Sequence, residues 1–263
     1  MSETPSEPSP RVRRLQGFSI NRMIPNMLTL MALSAGLTGI RFALDGRWEH
    51  AVLAIVAAAI LDALDGRIAR LLKGASKFGA ELDSLSDFVC FGVSPGLILY
   101  LWTMRDAGKL GWVLVMLFAI CCGLRLARFN VMLEDEDAPV WKNRFFSGIP
   151  APMGGGLVLL PMVFSFQVGD DILRHPWIAG GFLLVLAGMM VSTIPTYSFK
   201  NLKISRQWVL PTMLITGGIA VSVISAPWIT LSVMGSAYIA TIPFSIRAHR
   251  ALMHTEPGET NNT

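Results

Sequence analysis

Four aspartates are spaced so that their side chains can act together. Asp62, Asp65, Asp83 and Asp87 lie in the segment LDALDGRIARLLKGASKFGAELDSLSDFVCFG. On a helix, Asp62 and Asp65 (i, i+3) share one face, as do Asp83 and Asp87 (i, i+4). The loop between the two pairs is short enough for their helices to lie antiparallel and adjacent. The spacing therefore predicts one cluster of four carboxylates.

Such a cluster needs counter-charge, because four carboxylates in a low-dielectric environment repel one another strongly. Oxygen-only ligands at this density favour Mg²⁺ or Mn²⁺, and no His or Cys lies in a position that would favour zinc. Four shared carboxylates can hold two ions about 3.5–4 Å apart, an arrangement that clamps a phosphoryl group. Gly66 would let a bulky ligand approach the helix, and Arg70 and Ser76 are candidate phosphate partners.

The elements that carry these aspartates are predicted to be membrane helices. The chain has 263 residues, 52% hydrophobic and 15% charged, whereas soluble domains carry about 25% charged residues. Long, continuously apolar runs exclude a β-barrel and predict an all-α integral membrane protein. We expect about eight transmembrane helices, of which the first six form the catalytic core, near 24–43, 48–72, 79–104, 110–133, 151–168, 175–196, 208–224 and 228–247.

The basic residues predict the orientation of these spans. With both termini in the cytoplasm, most of the 22 Lys and Arg residues fall on the inner side, and only five fall outside. The expected organisation is a disordered cytoplasmic tail over 1–21, a membrane catalytic domain over 22–247 and a second cytoplasmic tail over 248–263. The net charge of +4 then reflects topology and anionic lipid headgroups, so nucleic acid is not an expected partner.

The aspartate segment resembles the signature of the CDP-alcohol phosphatidyltransferase family, D-x2-D-G-x2-A-R-x8-G-x3-D-x3-D. Every fixed position is present, and an earlier Pro-Asn-x-Leu-Thr element of that family also appears at the start of the first span. The matching residues are Asp62, Asp65, Gly66, Ala69, Arg70, Gly79, Asp83 and Asp87, with Pro25, Asn26, Leu28 and Thr29 in the earlier element.

The resemblance implies roles that spacing alone does not assign. It makes Asp62, Asp65, Asp83 and Asp87 the ligands of two Mg²⁺ or Mn²⁺ ions, and makes Asp87 also the base that deprotonates the attacking alcohol. It implies that CDP-diacylglycerol is bound by Asn26, Thr29, Gly66, Arg70 and Ser76. The family also implies a homodimer surrounded by membrane lipids. The orientation predicted from the basic residues places its active site at the cytoplasmic face of the cell (inner) membrane.

Two further stretches bear on the acceptor alcohol. SDFVCFGVSPG over 86–96, and RLARFNV over 125–131 followed by FSGIPAP, are similar to membrane-embedded phosphatidylserine synthases. This similarity implies L-serine as the acceptor, with phosphatidylserine and CMP as products. Arg125 and Arg128 share a helix face, and with Asn130 they are candidate acceptor contacts, because the serine carboxylate needs a cationic or amide partner. Alternatively, the two arginines only mark the cytoplasmic end of their span.

Two other functions remain open at this point. The same family chemistry can use another acceptor, glycerol 3-phosphate or an inositol phosphate. Intramembrane carboxylates also mark ion pathways, so a divalent-cation transporter is a remote alternative. The three cysteines, Cys90, Cys121 and Cys122, lie in apolar spans without metal-ligand spacing and are expected to be small buried hydrophobic residues.

Overall fold

The computed structural model describes residues 20–72, 74, 76–134, 145–192, 195–197 and 209–254. The first 19 residues of the predicted amino-terminal tail and residues 255–263 of the carboxy-terminal tail lie outside this part of the chain. In chain order the elements are α1 (Ile20–Leu44), α2 (Trp48–Leu71), α3 (Lys77–Asp87), a π-helical turn (Phe88–Val93), α4 (Ser94–Trp102), a 3-10 turn (Met104–Ala107), α5 (Gly108–Glu134), β1 (Phe145–Ser147), α6 (Ala151–Val158), α7 (Leu160–Val168), α8 (Asp170–Leu173), α9 (Pro176–Val191), β2 (Pro195–Tyr197), α10 (Val209–Ser225) and α11 (Pro227–His254).

The predicted class, an all-helical integral membrane protein, is confirmed. Four helical segments of the described chain are long and apolar enough to cross a membrane: Met23–Leu44, Lys77–Trp102, Met104–Met132 and Ala151–Val168. Shorter apolar helices cover Pro176–Val191, Leu210–Ser225 and Pro227–Ile242. Helix α2 has 24 residues, but charged residues interrupt its last turns. The count of eight spans and the domain boundaries remain predictions.

Two of the predicted spans are not continuous α-helices. The third contains the π-helical turn between α3 and α4, and the fifth is divided at Leu159 between α6 and α7. Proline accounts for both interruptions, since it has no backbone N–H to donate. Pro95 cannot donate to the carbonyl of Phe91, and Pro161 cannot donate to that of Leu157. The π-helical turn follows Asp87 directly, so it sets the direction in which the chain leaves the aspartate cluster.

The core lies among the helices that follow the aspartates. Helix α1 packs along α2 and also contacts α3, the π-helical turn and α4, while α5 packs on α9 and α7 packs on α11. The largest fully buried side chains include Trp102, Phe91 and Phe118. Strands β1 and β2, of three residues each, pair antiparallel with Phe145 opposite Tyr197. This pairing joins the segments that follow α5 and α9. Apart from loops and turns, the rest of the described chain is helical.

Candidate active site

Three of the four predicted aspartates meet at one point. Asp62, near the end of α2, and Asp83 and Asp87, on α3, each offer a carboxylate oxygen, and these oxygens all lie within 4.8 Å of one another. All three side chains are half-buried. Helices α2 and α3 therefore bring their acidic residues together as the i, i+3 and i, i+4 spacings predict.

The fourth aspartate, Asp65, lies beside this triad and has a different partner. Its Oδ2 accepts a hydrogen bond of 2.7 Å from the Thr29 hydroxyl of α1, and both residues are only 4% exposed. Asp65 remains close enough to interact electrostatically with Asp62 and Asp83. Thr29, which the family resemblance places at the CDP group, thus contacts a predicted metal ligand in this structure.

Helix α3 and the π-helical turn that follows it are held against α1 by two polar contacts. The Ser86 hydroxyl donates to the carbonyl of Thr29 over 3.3 Å, and the Cys90 thiol donates to that of Ala32 over 3.3 Å. Gly36 permits this approach, because a Cβ there would lie 2.7 Å from the sulfur of Cys90. These contacts fix Asp83 and Asp87 relative to Asp65. As predicted, all three cysteines are buried and free.

The residues predicted to bind CDP lie on α1, on α2 and at the start of α3. Ser76 caps α3 by accepting a hydrogen bond of 3.0 Å from the Gly79 N–H. A Cβ at Gly79 would lie 2.9 Å from Oδ1 of Asn26, so Asn26 and Ser76 converge on this glycine. Gly66 is exposed, and no other described residue would touch a Cβ there within 4 Å. The signature glycines therefore differ: Gly79 allows close packing, whereas Gly66 leaves space.

Arg70 lies beside Gly66 on the exposed surface of α2. Its Nε donates to the Gly66 carbonyl of its own helix over 2.9 Å. Among the described residues, only Nε of this guanidinium has a hydrogen-bond partner, which leaves the two Nη atoms for an anion at this helix end.

Helix α5 places a buried cation near Asp87. Arg125 of α5 is 7% exposed and interacts electrostatically with Asp87. Its guanidinium carbon lies 5.7 Å from the centroid of the Phe129 ring. Within the described part of the chain, Arg125 Nε has no hydrogen-bond partner. A buried donor without a partner costs free energy unless a ligand satisfies it, so this position is suited to an anionic group.

The other two acceptor candidates contact neighbouring helices. Arg128 donates to the carbonyls of Val191 and Ser192 over 2.7 and 3.2 Å, at the carboxyl end of α9. Asn130 donates to the Ser84 hydroxyl of α3 over 2.9 Å. Arg128 therefore connects α5 to the end of α9, and Asn130 connects it to α3. Ser84 and Ser86 were not among the predicted site residues, although polar residues between two intramembrane aspartates are a signal that could have identified them.

The triad fits a divalent metal by the chemistry of its donors. Its ligands are carboxylate oxygens, which Mg²⁺ and Mn²⁺ prefer. An ion about 2.1 Å from each ligand can be shared by oxygens about 4.2 Å apart, so oxygens within 4.8 Å need only small side-chain rotations. Asp65 adds a fourth carboxylate next to this group.

Comparison with known proteins identifies the family of this chain. The model of the CDP-alcohol phosphatidyltransferase family matches residues 22–194, and a second model, CDP-alcohol phosphatidyltransferase 2, matches residues 207–243. The chain belongs to the CDP-alcohol phosphatidyltransferase family. The first match covers α1 through α9, and hence every predicted site residue of the phosphatidyltransferase.

Several curated members of the family are similar over most of the chain. A CDP-diacylglycerol–serine O-phosphatidyltransferase of Mycobacterium bovis is 36% identical over 243 residues, which cover 92% of this chain and 84% of that protein. The enzyme of the same name from Helicobacter pylori is 37% identical over 69% of this chain and 74% of its own length. That from Bacillus subtilis is 35% identical over 68% of this chain and 92% of its own length.

A large apolar cavity lies along helix α2, the helix that also carries Asp62 and Asp65. It has a volume of about 730 Å³ and is bounded by α2, α6, α7 and α11. Along α2 its lining runs from Val52 to Arg67, a rise of about 22 Å that ends two residues past Asp65 in the chain. Arg67 is the charged residue of the lining, and Tyr238 of α11 also contributes to it. The last helix of the chain therefore helps to form a space that reaches the level of the aspartates.

Proposed function

We propose that this protein transfers the phosphatidyl group of CDP-diacylglycerol to L-serine, giving phosphatidylserine and CMP. The observation that carries the proposal is a carboxylate triad with the buried Arg125 near it, whose Nε has no hydrogen-bond partner among the described residues. L-Serine carries both a hydroxyl group and a carboxylate, and these two groups match Asp87 and Arg125. The names of the similar mycobacterial, Helicobacter and Bacillus enzymes support the same reaction.

In this proposal Asp62, Asp65, Asp83 and Asp87 hold two Mg²⁺ or Mn²⁺ ions. When bound, such ions neutralise charge on a diphosphate and make its phosphorus a better electrophile. Asn26, Thr29, Gly66, Arg70 and Ser76 bind the CDP portion. The space over Gly66 supports this assignment, because a nucleotide can approach the α2 backbone closely there.

Asp87 serves as the general base. It accepts the proton of the serine hydroxyl, the hydroxyl oxygen attacks the lipid-bearing phosphorus, and the bond from that phosphorus to the CMP oxygen breaks. Arg125 binds the serine carboxylate and thereby holds the hydroxyl near Asp87. Arg128 and Asn130 complete the acceptor pocket by fixing α5 against the end of α9 and against α3, respectively.

The cavity between α2 and α11 receives an acyl chain of CDP-diacylglycerol. Its lining is apolar, its walls are membrane helices, and its Arg67 end lies at the level of the aspartates. The lipid substrate must present its diphosphate to the aspartates while its chains stay in hydrocarbon, and this cavity satisfies both requirements.

We also propose a multi-pass protein of the cell (inner) membrane, with the active site and both termini in the cytoplasm. The bias of Lys and Arg toward the predicted inner segments supports this orientation. A homodimer is proposed on the family resemblance.

The test measures CMP release from CDP-diacylglycerol by the purified protein in detergent, with Mg²⁺ or Mn²⁺ or with EDTA. L-Serine, glycerol 3-phosphate and inositol 1-phosphate are compared as acceptors. Asp87→Asn should abolish release, Arg125→Gln should raise the KM for serine, and Asp45→Asn, on an exposed residue after α1, should match wild type.

Release that requires serine and a divalent ion supports the proposal. Release driven only by another alcohol would support phosphatidyl transfer but would show that L-serine is not the acceptor. If no acceptor drives release but proteoliposomes take up divalent ions, the protein is a transporter. Release that persists in EDTA would refute the metal dependence.

A further inference from the structure

Three consecutive glycines in α6, Gly154, Gly155 and Gly156, differ in what surrounds them. A Cβ at Gly154 would collide with the Met190 side chain of α9, and one at Gly155 would lie 2.8 Å from the Phe91 Cα. Close packing against α9 and the π-helical turn therefore explains the first two. A Cβ at Gly156 would touch no described residue within 4 Å. Packing does not explain why this third position is glycine.

Backbone conformation does not explain Gly156 either. The glycines with positive φ in the described chain are Gly46, Gly108, Gly148 and Gly169, so Gly156 has a backbone conformation open to any L-residue. Glycine also weakens a helix relative to alanine. Glycine at 156 consequently lowers the stability of α6 without improving its packing or its backbone conformation. The space that the absent side chain leaves belongs to the cavity, whose lining includes Gly156.

We infer that Gly156 determines which acyl chains the cavity admits, by leaving open the passage from its active-site end to its deeper part. This inference rests on the proposed function. Two other lining residues, Pro152 and Val163, lie about 6 Å before Gly156 and about 10 Å beyond it along the helices. A larger side chain at 156 would therefore project into the cavity part-way along its lining, so that a long acyl chain meets it and a short chain ends before it.

The experiment compares dihexanoyl and dioleoyl CDP-diacylglycerol as donors to L-serine, in wild type and in Gly156→Ala, Gly156→Val and Gly156→Leu. A single methylene in an apolar pocket changes specificity by about tenfold or more. We expect the ratio of kcat/KM for dioleoyl to that for dihexanoyl to fall at least about tenfold in Gly156→Leu, with a smaller fall in Gly156→Ala. Because both donors are measured on one preparation, the ratio does not depend on the fraction of folded protein.

Gly188→Leu is the matched control. Gly188 is an exposed glycine of α9, no described residue lies within 4 Å of its would-be Cβ, and it does not line the cavity. Its ratio should equal that of wild type. An equal loss on both donors in the Gly156 variants, or no loss on either, would overturn the inference. A wild-type protein that uses neither donor with serine would instead refute the proposed function, so the two failures are distinguishable.

Discussion

Replacing Thr29 by valine tests whether the helix α1 hydroxyl orients Asp65, a proposed metal ligand. Valine has nearly the shape of threonine, so the substitution removes the 2.7 Å hydrogen bond to Asp65 with little change in packing. Both residues are 4% exposed, so water cannot readily replace the lost donor. Hydrogen bonds to charged groups contribute about 1.5–3 kcal/mol, which corresponds to roughly 10- to 150-fold in an equilibrium constant.

The assay is CMP release with saturating CDP-diacylglycerol and L-serine as Mn²⁺ is titrated. Loss of a partner that orients a metal ligand costs about 10- to 100-fold in metal affinity, so we expect the half-saturating Mn²⁺ concentration of Thr29→Val to rise by that factor. Excess metal should restore most of kcat. Thr29→Ser, which keeps the hydroxyl, should titrate like wild type.

Thr38→Val is the matched control for Thr29→Val. The Thr38 hydroxyl is exposed on the same helix and donates only to the Ser34 carbonyl one turn earlier. Its Mn²⁺ titration should be unchanged. A Thr29→Val protein with an unchanged Mn²⁺ titration would refute the reasoning, because Thr29 would then not act through Asp65. A raised KM for CDP-diacylglycerol alone would report only the proposed contact of Thr29 with the CDP portion.

Two further predictions concern the frame of the site. Gly155→Ala should lower the free energy of unfolding by about 1–3 kcal/mol, because the alanine Cβ would lie 2.8 Å from backbone of the π-helical turn. Thermal unfolding in detergent measures this change. An unchanged unfolding midpoint would contradict the prediction. Gly181→Ala, with open space around it, is its control. Arg128→Ala should also destabilise the protein, by about 1.5–3 kcal/mol, since two carbonyls at the end of α9 lose a charged donor. A wild-type unfolding midpoint with only a raised KM for serine would show instead that Arg128 acts on the acceptor directly.

The membrane class and the pairing of the aspartates could be predicted from the sequence for simple reasons. A span must be about 20 apolar residues long whatever surrounds it, and carboxylates three or four residues apart share a helix face in any helix. The sequence predicts the third and fifth spans near 79–104 and 151–168, and the structure interrupts both of them beside Pro95 and Pro161. Proline indicates that an interruption can occur, while the neighbouring helices decide whether the chain continues through it.

Contacts between distant segments were decided only by the tertiary structure. The sequence by itself determined an all-helical membrane protein with an acidic cluster suited to divalent ions, because these properties follow from local composition and helical period. It did not determine that Thr29 binds Asp65, that Arg128 donates to the end of α9, or that Gly156 faces a cavity while Gly155 faces backbone. Neighbouring glycines have the same local chemistry, and only the packing of other helices around them gives one a structural role and the other an open space.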